Sequence, residues 1–385
     1  MTHWVSAIRH GWVVDREVPG PDVDEFAEPA DVIAALARWR GDSLLAVQHP
    51  HRTPRALAEG LSPADALPEA RRELDRLLAT AYRPVTDIVA PYRVDGPDGT
   101  AVGVLCLVDP RAMSGVRHSE EVYPRVVAER AEMLSGLGCA TSAAMLIPLS
   151  EGEKLTEAVL RETDTPEAVR TVDPAGRTHR LWLNGPGHGQ DALLAVARNA
   201  PLLVADGNHR VAAAARAGTS LLALITAGPD LRVGGFHREL TGTGLGPAEL
   251  IAAWRRNGSR VHEGGGPAVP GVVAVHAGGT RLRVELPPPG PGEPLPRIDH
   301  GAAERVLIAE ALGIDPEGPR VRALPAGHPP DPGADAVLEF APVPLADVLA
   351  VHAQRRLMPR KSTYFTPKPR TGLLLADLDS ESTKD

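Results

Sequence analysis

The stretch from Leu202 to Thr226 constrains the fold of this 385-residue chain more than any other. Leu202-Leu203-Val204-Ala205 is an apolar run that passes into the polar turn Asp206-Gly207-Asn208-His209-Arg210. An alanine-rich segment follows, with helical character from Asn208 to Ala217 and Gly218 placed to close it. Ser220 to Thr226 is a second apolar run. Short apolar runs bounded by turn signals read as buried strands. Strands covered by helices specify an α/β protein of mixed α+β character, with a mixed sheet and flanking helices.

The rest of the chain carries the same alternation of elements. Ala30 to Arg40 has helical spacing, Ser43 to Gln48 reads as a short apolar strand, and Ser62 to Tyr82 as a helix opened by Ser62-Pro63. Ala101 to Val108 alternates and branches as a strand does. Ser119 to Leu137 reads as a charged amphipathic helix that Ser119 caps and Gly138 ends. Thr141 to Leu149 is expected as a strand, with Ser150 capping the helix after it and Glu153 three residues on. Val169 to Asn184 reads as a hairpin turning at Pro174-Ala175-Gly176. Helices are expected over Asp191 to Asn199 and Pro247 to Asn257, and Phe236-His237-Arg238 is expected to end a strand.

From Gly264 to Pro296 the chain is irregular, with a hairpin inside it from Val272 to Leu286 turning at Gly278-Gly279. Ala302 to Leu312 (helix), Ala336 to Phe340 (strand) and Leu345 to Arg356 (helix) follow. These elements suggest regions 1–150, 151–262 and 263–378 and a frayed tail, 379–385.

Composition narrows the function classes. Aromatic residues are 3% of the chain, so the core must be built from Ala, Val and Leu. The 38 glycines and 38 prolines are not gathered in one tail, which implies many loops. The net charge is −8 and arginines are interspersed with acids, as in Arg71-Arg72-Glu73. No basic stripe exists, so a nucleic-acid partner is not expected. No run approaches the length of a membrane span. The two cysteines, Cys106 and Cys139, lie in apolar surroundings and read as buried thiols of a soluble, cytoplasmic protein.

Two segments carry candidate chemistry. In the turn, Gly207 permits a sharp bend and the close approach of a ligand. Asn208, His209 and Arg210 fall in the first helical turn, where N–H groups and the dipole favour phosphate. Asp206 could hold a metal or accept a hydroxyl proton, and His209 could act as acid, base or phosphate ligand. The structural alternative is that Asp206 or Asn208 merely caps the helix.

The second segment is Lys361-Ser362-Thr363-Tyr364-Phe365-Thr366-Pro367-Lys368, which holds two of the chain's four lysines. Ammonium beside hydroxyls suits an anion site, and a plain C-terminal strand is the alternative. Arg117 and His118, ahead of Ser119-Glu120-Glu121, are second-tier candidates at what reads as an ordinary helix start. The P-loop, Rossmann, zincin and nucleophile-elbow signatures are all missing.

Together the turn and the segment Met358-Pro359-Arg360-Lys361-Ser362-Thr363-Tyr364-Phe365-Thr366-Pro367-Lys368 resemble the bacterial and archaeal domain-of-unknown-function family numbered 1015. Its members carry an ADGHHR-type box mid-chain and an MPPKSTYF-type box near the C-terminus. Arg117-His118 followed by Glu129-Arg130 is similar to the family's RHE…DR stretch. Asn208 replaces the first histidine of the mid-chain box, and Ser119 stands where the family has Glu. The family's APPYDV-type stretch is barely recognisable around Gly20-Pro21-Asp22-Val23.

More distantly, the turn resembles the DGHTR-type box of free serine kinases in the ParB and sulfiredoxin-like superfamily. That resemblance implies a ParB/sulfiredoxin-like core with insertions, ATP or ADP and Mg2+ as cofactors, and phosphoryl transfer to a small hydroxyl compound, L-serine first. Asp206, His209 and Lys361 would then be catalytic, with Asp206 the candidate metal ligand. Gly207, Asn208, Arg210, Ser362, Thr363, Arg117 and His118 would surround phosphate. On this reading Lys361 faces the phosphate and Lys368, which follows a proline, is structural. The other reading is a ParB-like nucleotide-binding regulator without turnover.

Overall fold

A computed structural model describes residues 4–23, 29–109, 112, 115–228 and 231–378. The tail 379–385 lies outside the described residues. The chain divides into two units, neither of them a single stretch. The first draws on residues 1–118, 122–232 and 366–385, and the second on 119–121 and 233–365.

The first unit is built on a nine-stranded mixed sheet. Its order is Val116–Arg117, Leu202–Asp206, Ala144–Pro148, Leu221–Ala227, Gly99–Val108, Ala90–Gly96, Thr178–Leu181, Val169–Val172, with Val5–Ser6 also on Gly99–Val108. Two pairings are parallel: Leu202–Asp206 with Val116–Arg117, and Leu221–Ala227 with Ala144–Pro148. Leu221–Ala227 is buried at every position. A strand covered on both faces has no polar side to display, which explains its unbroken apolar run.

The helices Gly152–Arg161, His188–Ala197 and Asn208–Ala217 supply Leu155, Val159, Leu193, Val211 and Ala214 to the core around Leu146, Val204 and Ile225. Each such leucine or isoleucine contributes roughly 1.5–3 kcal/mol by leaving water. A second sheet in this unit runs Tyr82–Ile88, Ile8–Val14, Leu374–Asp377, Cys139–Ala140.

The second unit holds a six-stranded antiparallel sheet. Its order is Arg260–Glu263, Thr280–Glu285, Val272–Ala277, Ala334–Glu339, Phe236–Thr241, Val321–Pro325. The helix Pro247–Arg256 and the helical run from Asp299 through Glu310 supply Leu250, Trp254, Leu307 and Ile308 to its core. The buried Trp254 indole N–H donates to the Leu307 carbonyl at 2.9 Å.

Several local expectations give way to the structure. Ser43 to Gln48 is not a strand: Leu44–Gln48 is a helix whose N-cap, Ser43, accepts the Ala46 N–H. Five apolar residues are too few for periodicity to separate helix from strand. The helix expected from Ser62 begins at Leu67, after a turn in which Ser62 Oγ donates to Asp65. Ser150 does not cap; the helix after it starts at Gly152 behind Glu151 in a left-handed conformation. Phe236-His237-Arg238 opens its strand rather than ending one.

The correction with most consequence is at Ser119. The helix begins only at Pro124, with Tyr123 extended before it. Proline favours the first helical position and pushes its predecessor out of helical geometry. Residues 119–121 run instead beside Met358 in the second unit, where Glu120 bridges Met358 and the Met358 N–H donates to the Ser119 carbonyl at 2.8 Å.

Candidate functional site

The strand Leu202–Asp206 ends at Asp206, and Gly207 turns the chain with φ +91° into the helix Asn208–Ala217. An L side chain is strained at that φ, and its Cβ would lie 2.7 Å from Arg210 Nε. Glycine therefore lets Arg210 fold back over the turn. One Asp206 carboxylate oxygen pairs with Arg210, four residues on, and the other accepts Lys368 Nζ at 2.7 Å. Arg210 Nη1 also donates to the Ala143 carbonyl at 2.6 Å. The Asp206, Arg210 and Lys368 side chains are 19%, 21% and 11% exposed. At that burial a carboxylate needs partners and gains from being held by two cations.

The remaining turn residues also point to defined partners. His118 Nδ1 lies 3.2 Å from Asn208 Oδ1. An amide oxygen only accepts, so this bond requires the His118 proton on Nδ1. Burial pushes the His118 pKa below its ordinary value, and the Asn208 bond partly opposes it. His209 Nε2 accepts the Tyr123 N–H at 3.0 Å, and the two rings stack 5.8 Å apart. Arg117 is exposed and sits opposite Leu203 on the neighbouring parallel strand. The first unit thus gathers Asp206, Gly207, Asn208, His209, Arg210 and His118 around one helix N-terminus, where the first N–H groups have no partner inside the helix.

Lys361, Ser362 and Thr363 belong to the second unit and have their own organiser, Glu120. Its carboxylate accepts the N–H of Lys361 at 3.0 Å and of Ser362 at 3.3 Å, and the Thr363 hydroxyl at 3.1 Å. Ser362 Oγ, fully buried, donates to the Pro359 carbonyl at 2.6 Å. The buried Arg238 guanidinium donates to the Arg360 carbonyl at 2.8 Å, the Lys361 carbonyl at 3.0 Å and Glu304 at 2.7 Å. The exposed Lys361 ammonium lies 5.8 Å above the Phe236 ring.

Glu120→Gln keeps the shape but turns one acceptor into a donor facing N–H groups. It is expected to cost about 1–3 kcal/mol and to speed amide exchange at Lys361 and Ser362, read by mass spectrometry or NMR.

Lys368 and Glu120 are the two residues here that sequence reasoning did not place. A lysine that pairs with Asp206 is Lys368, read above as structural. Its neighbours in sequence give no sign of a partner 162 positions away. For Glu120 a signal existed: the family places Glu directly after Arg-His, and this chain has Glu one position later.

Asp206, the candidate magnesium ligand, is already paired with Arg210 and Lys368 in this structure. Magnesium takes hard oxygen ligands, and both Asp206 oxygens are engaged by cations. Among the described residues no group of three or more His, Cys, Asp or Glu is arranged to hold a metal ion.

The family model described as "Protein of unknown function (DUF1015)" matches residues 54–259, more than half of the chain and inclusive of the Asp206 turn. The chain belongs to this family. No curated protein matches it. Among solved structures it is similar to SbnI with C-terminal truncation from Staphylococcus aureus, at 12% identity over 73% of this chain and 90% of that one, TM-score 0.44. Free serine kinase in complex with AMP matches at 13% identity over 72% and 93%, TM-score 0.38. A conserved hypothetical protein from Pyrococcus furiosus matches at 12% identity over 74% and 98%, TM-score 0.39. Among the described residues no helix is long and apolar enough to cross a membrane.

Proposed function

We propose that this DUF1015 protein is a small-molecule phosphotransferase that moves a phosphoryl group between an adenine nucleotide, ATP or ADP, and a small hydroxyl compound, with L-serine the first candidate. The observation that carries this reading is the convergence of Asp206, Arg210 and Lys368 at the helix start behind Gly207. Phosphoryl transfer needs positive charge around the transferring oxygens and a group that takes the acceptor's proton. The turn supplies both within one carboxylate's reach. The resemblance of the turn to the free serine kinase box supports serine as acceptor.

In the resting state the two cations neutralise Asp206. An arriving phosphate offers them a second anion, so Lys368 and Arg210 turn to it and the Asp206 carboxylate is released. Asp206 then accepts the acceptor hydroxyl proton as that oxygen bonds to the terminal phosphorus. The bond from phosphorus to the bridging oxygen breaks, and the shortened nucleotide leaves with the negative charge. The helix N–H groups hold the phosphate oxygens. No step is routed through a metal held by the protein.

The test is direct. Purified protein is incubated with ATP or ADP, magnesium and a panel of small hydroxy acids, and nucleotide conversion is followed. Asp206→Asn should lower kcat by roughly 10²–10⁴-fold, the range for losing a general base. Conversion that survives it sinks the assignment. The double pairing of Asp206 also suits a nucleotide-binding regulator that never releases its carboxylate. Tight nucleotide binding without conversion of any hydroxy acid would establish that second reading instead.

A further inference from the structure

Tyr92, His179 and Asp173 form a buried hydrogen-bond chain in the first unit that the proposed reaction does not use. Tyr92 and His179 are each 1% exposed. Tyr92 Oη lies 2.6 Å from His179 Nδ1, and His179 Nε2 lies 3.1 Å from Asp173 Oδ2. At the other end Tyr92 Oη accepts the Arg370 backbone N–H at 3.1 Å. Asp173 is itself held by the Arg177 backbone N–H at 2.9 Å and by Arg177 Nη1 at 3.3 Å.

The chemistry of the donors fixes every proton. The Asp173 carboxylate only accepts, so the His179 ring carries its proton on Nε2 and donates it there. In the neutral ring Nδ1 is then bare and accepts the Tyr92 hydroxyl, whose oxygen in turn accepts the Arg370 N–H. Burial pushes the His179 pKa down, which keeps the ring neutral, while Asp173 partly opposes that shift. The chain is fully satisfied, and such buried networks hold one geometry.

What it holds is the segment bearing Lys368. Thr366 Oγ1 donates to the Asp98 carbonyl at 3.1 Å, and Arg370 Nη1 donates to Thr171 Oγ1 at 2.6 Å. Lys368 stands between Pro367 and Pro369, whose rings fix φ. The segment is thus pinned two residues to either side of the lysine.

We infer that Tyr92, His179 and Asp173 are positioning residues for Lys368, fixing the backbone at Arg370 so that the ammonium meets Asp206. This rests on the reading of Lys368 as the cation that serves the transferring phosphate. The relay itself touches no reacting atom.

The chain's four lysines make the test simple. Protein carrying 13Cε-lysine gives four side-chain signals, with the Lys368 signal assigned through Lys368→Arg. In Tyr92→Phe, which removes one oxygen and keeps the ring, the Lys368 signal should shift and broaden while that of Lys154 stays in place. Asp173→Asn, at the far end of the relay, should shift it in the same direction and by less, and it keeps the test open should Tyr92→Phe fold poorly. Thr226→Val removes another buried hydroxyl of the same sheet, one that donates to the Val102 carbonyl at 2.8 Å, and should leave the Lys368 signal unmoved.

In the turnover assay Tyr92→Phe should lower kcat about tenfold, as a misplaced catalytic group does, with the nucleotide KM unchanged. A Lys368 signal indifferent to Tyr92→Phe, or equally displaced by Thr226→Val, overturns the inference. A signal that responds in a protein without turnover upholds the positioning and removes the phosphotransfer reading alone.

Discussion

Lys368→Met is expected to lower kcat on the order of 10²–10³-fold, the cost of removing one charged group aimed at a developing anion. Methionine keeps most of the side chain's length and apolar stem, so the loss is of charge and not of volume. The variant should also be less stable by about 1–3 kcal/mol, because a largely buried carboxylate loses one of its two partners while Arg210 remains. The double variant with Asp206→Asn separates the two effects. If the ion pair alone matters to stability, the two substitutions together should cost less than their sum. Turnover should not recover, since neither cation nor base is restored. Thermal unfolding and initial rates of the four proteins give both couplings. Wild-type turnover in Lys368→Met would remove this lysine from the reaction. Lys361→Met provides the contrast: its backbone is held by Glu120 and Arg238 whatever its side chain, so its stability should change by less than about 0.5 kcal/mol, as for ordinary surface substitutions.

The second large effect is acid destabilisation of the second unit through His300. Its ring is fully buried, stacked on Phe340 at a centroid distance of 4.4 Å, with Nε2 2.8 Å from the Phe236 carbonyl. Burial, with the Arg238 charge nearby, pushes its pKa from 6.5 down to about 3. The folded state therefore binds this proton less readily than the unfolded state. Stability from the neutral ring is complete above pH 6.5 and is lost as pH falls from 6.5 toward 3, at about 1.4 kcal/mol per pH unit. By pH 4 the loss is roughly 3 kcal/mol on the same scale. Denaturant unfolding followed by Trp254 fluorescence between pH 7 and 4 checks it, because Trp254 is the one tryptophan of this unit. His300→Phe should flatten that pH dependence; an unchanged slope would assign the effect to other groups. In the first unit His49 acts with the same sign. Burial, followed by the charges of Arg52, His51 and Arg130, lowers its pKa to about 4.

How much of this could be read from the chain depends on how local each cause is. The strand Leu202–Asp206, the Gly207 turn and the helix Asn208–Ala217 emerge where the sequence places them, within a residue. Their determinants, an apolar run, a glycine at φ +91° and a closing Gly218 in left-handed geometry, all lie within one short stretch. The hairpin strands Val272–Ala277 and Thr280–Glu285 follow from Gly278-Gly279 for the same reason. Ser119 illustrates the opposite case. Its hydroxyl and the acids beside it carry every local mark of a helix cap. Pro124 and the pairing with Met358 outweigh those marks.

The sequence by itself determined that this is a mixed α/β chain with a polar turn set at the end of a buried strand. It also determined which family's boxes the chain carries. Patterns of burial, capping and glycine geometry act over a few residues, so they are written where they operate. Only the tertiary structure decided that Lys368 meets Asp206, that Glu120 organises Lys361 to Thr363, and that residues 119–121 join the second unit. Those contacts link positions 162 to 243 residues apart. A carboxylate will pair with any cation brought within reach, and it is the course of the backbone that decides which cation arrives.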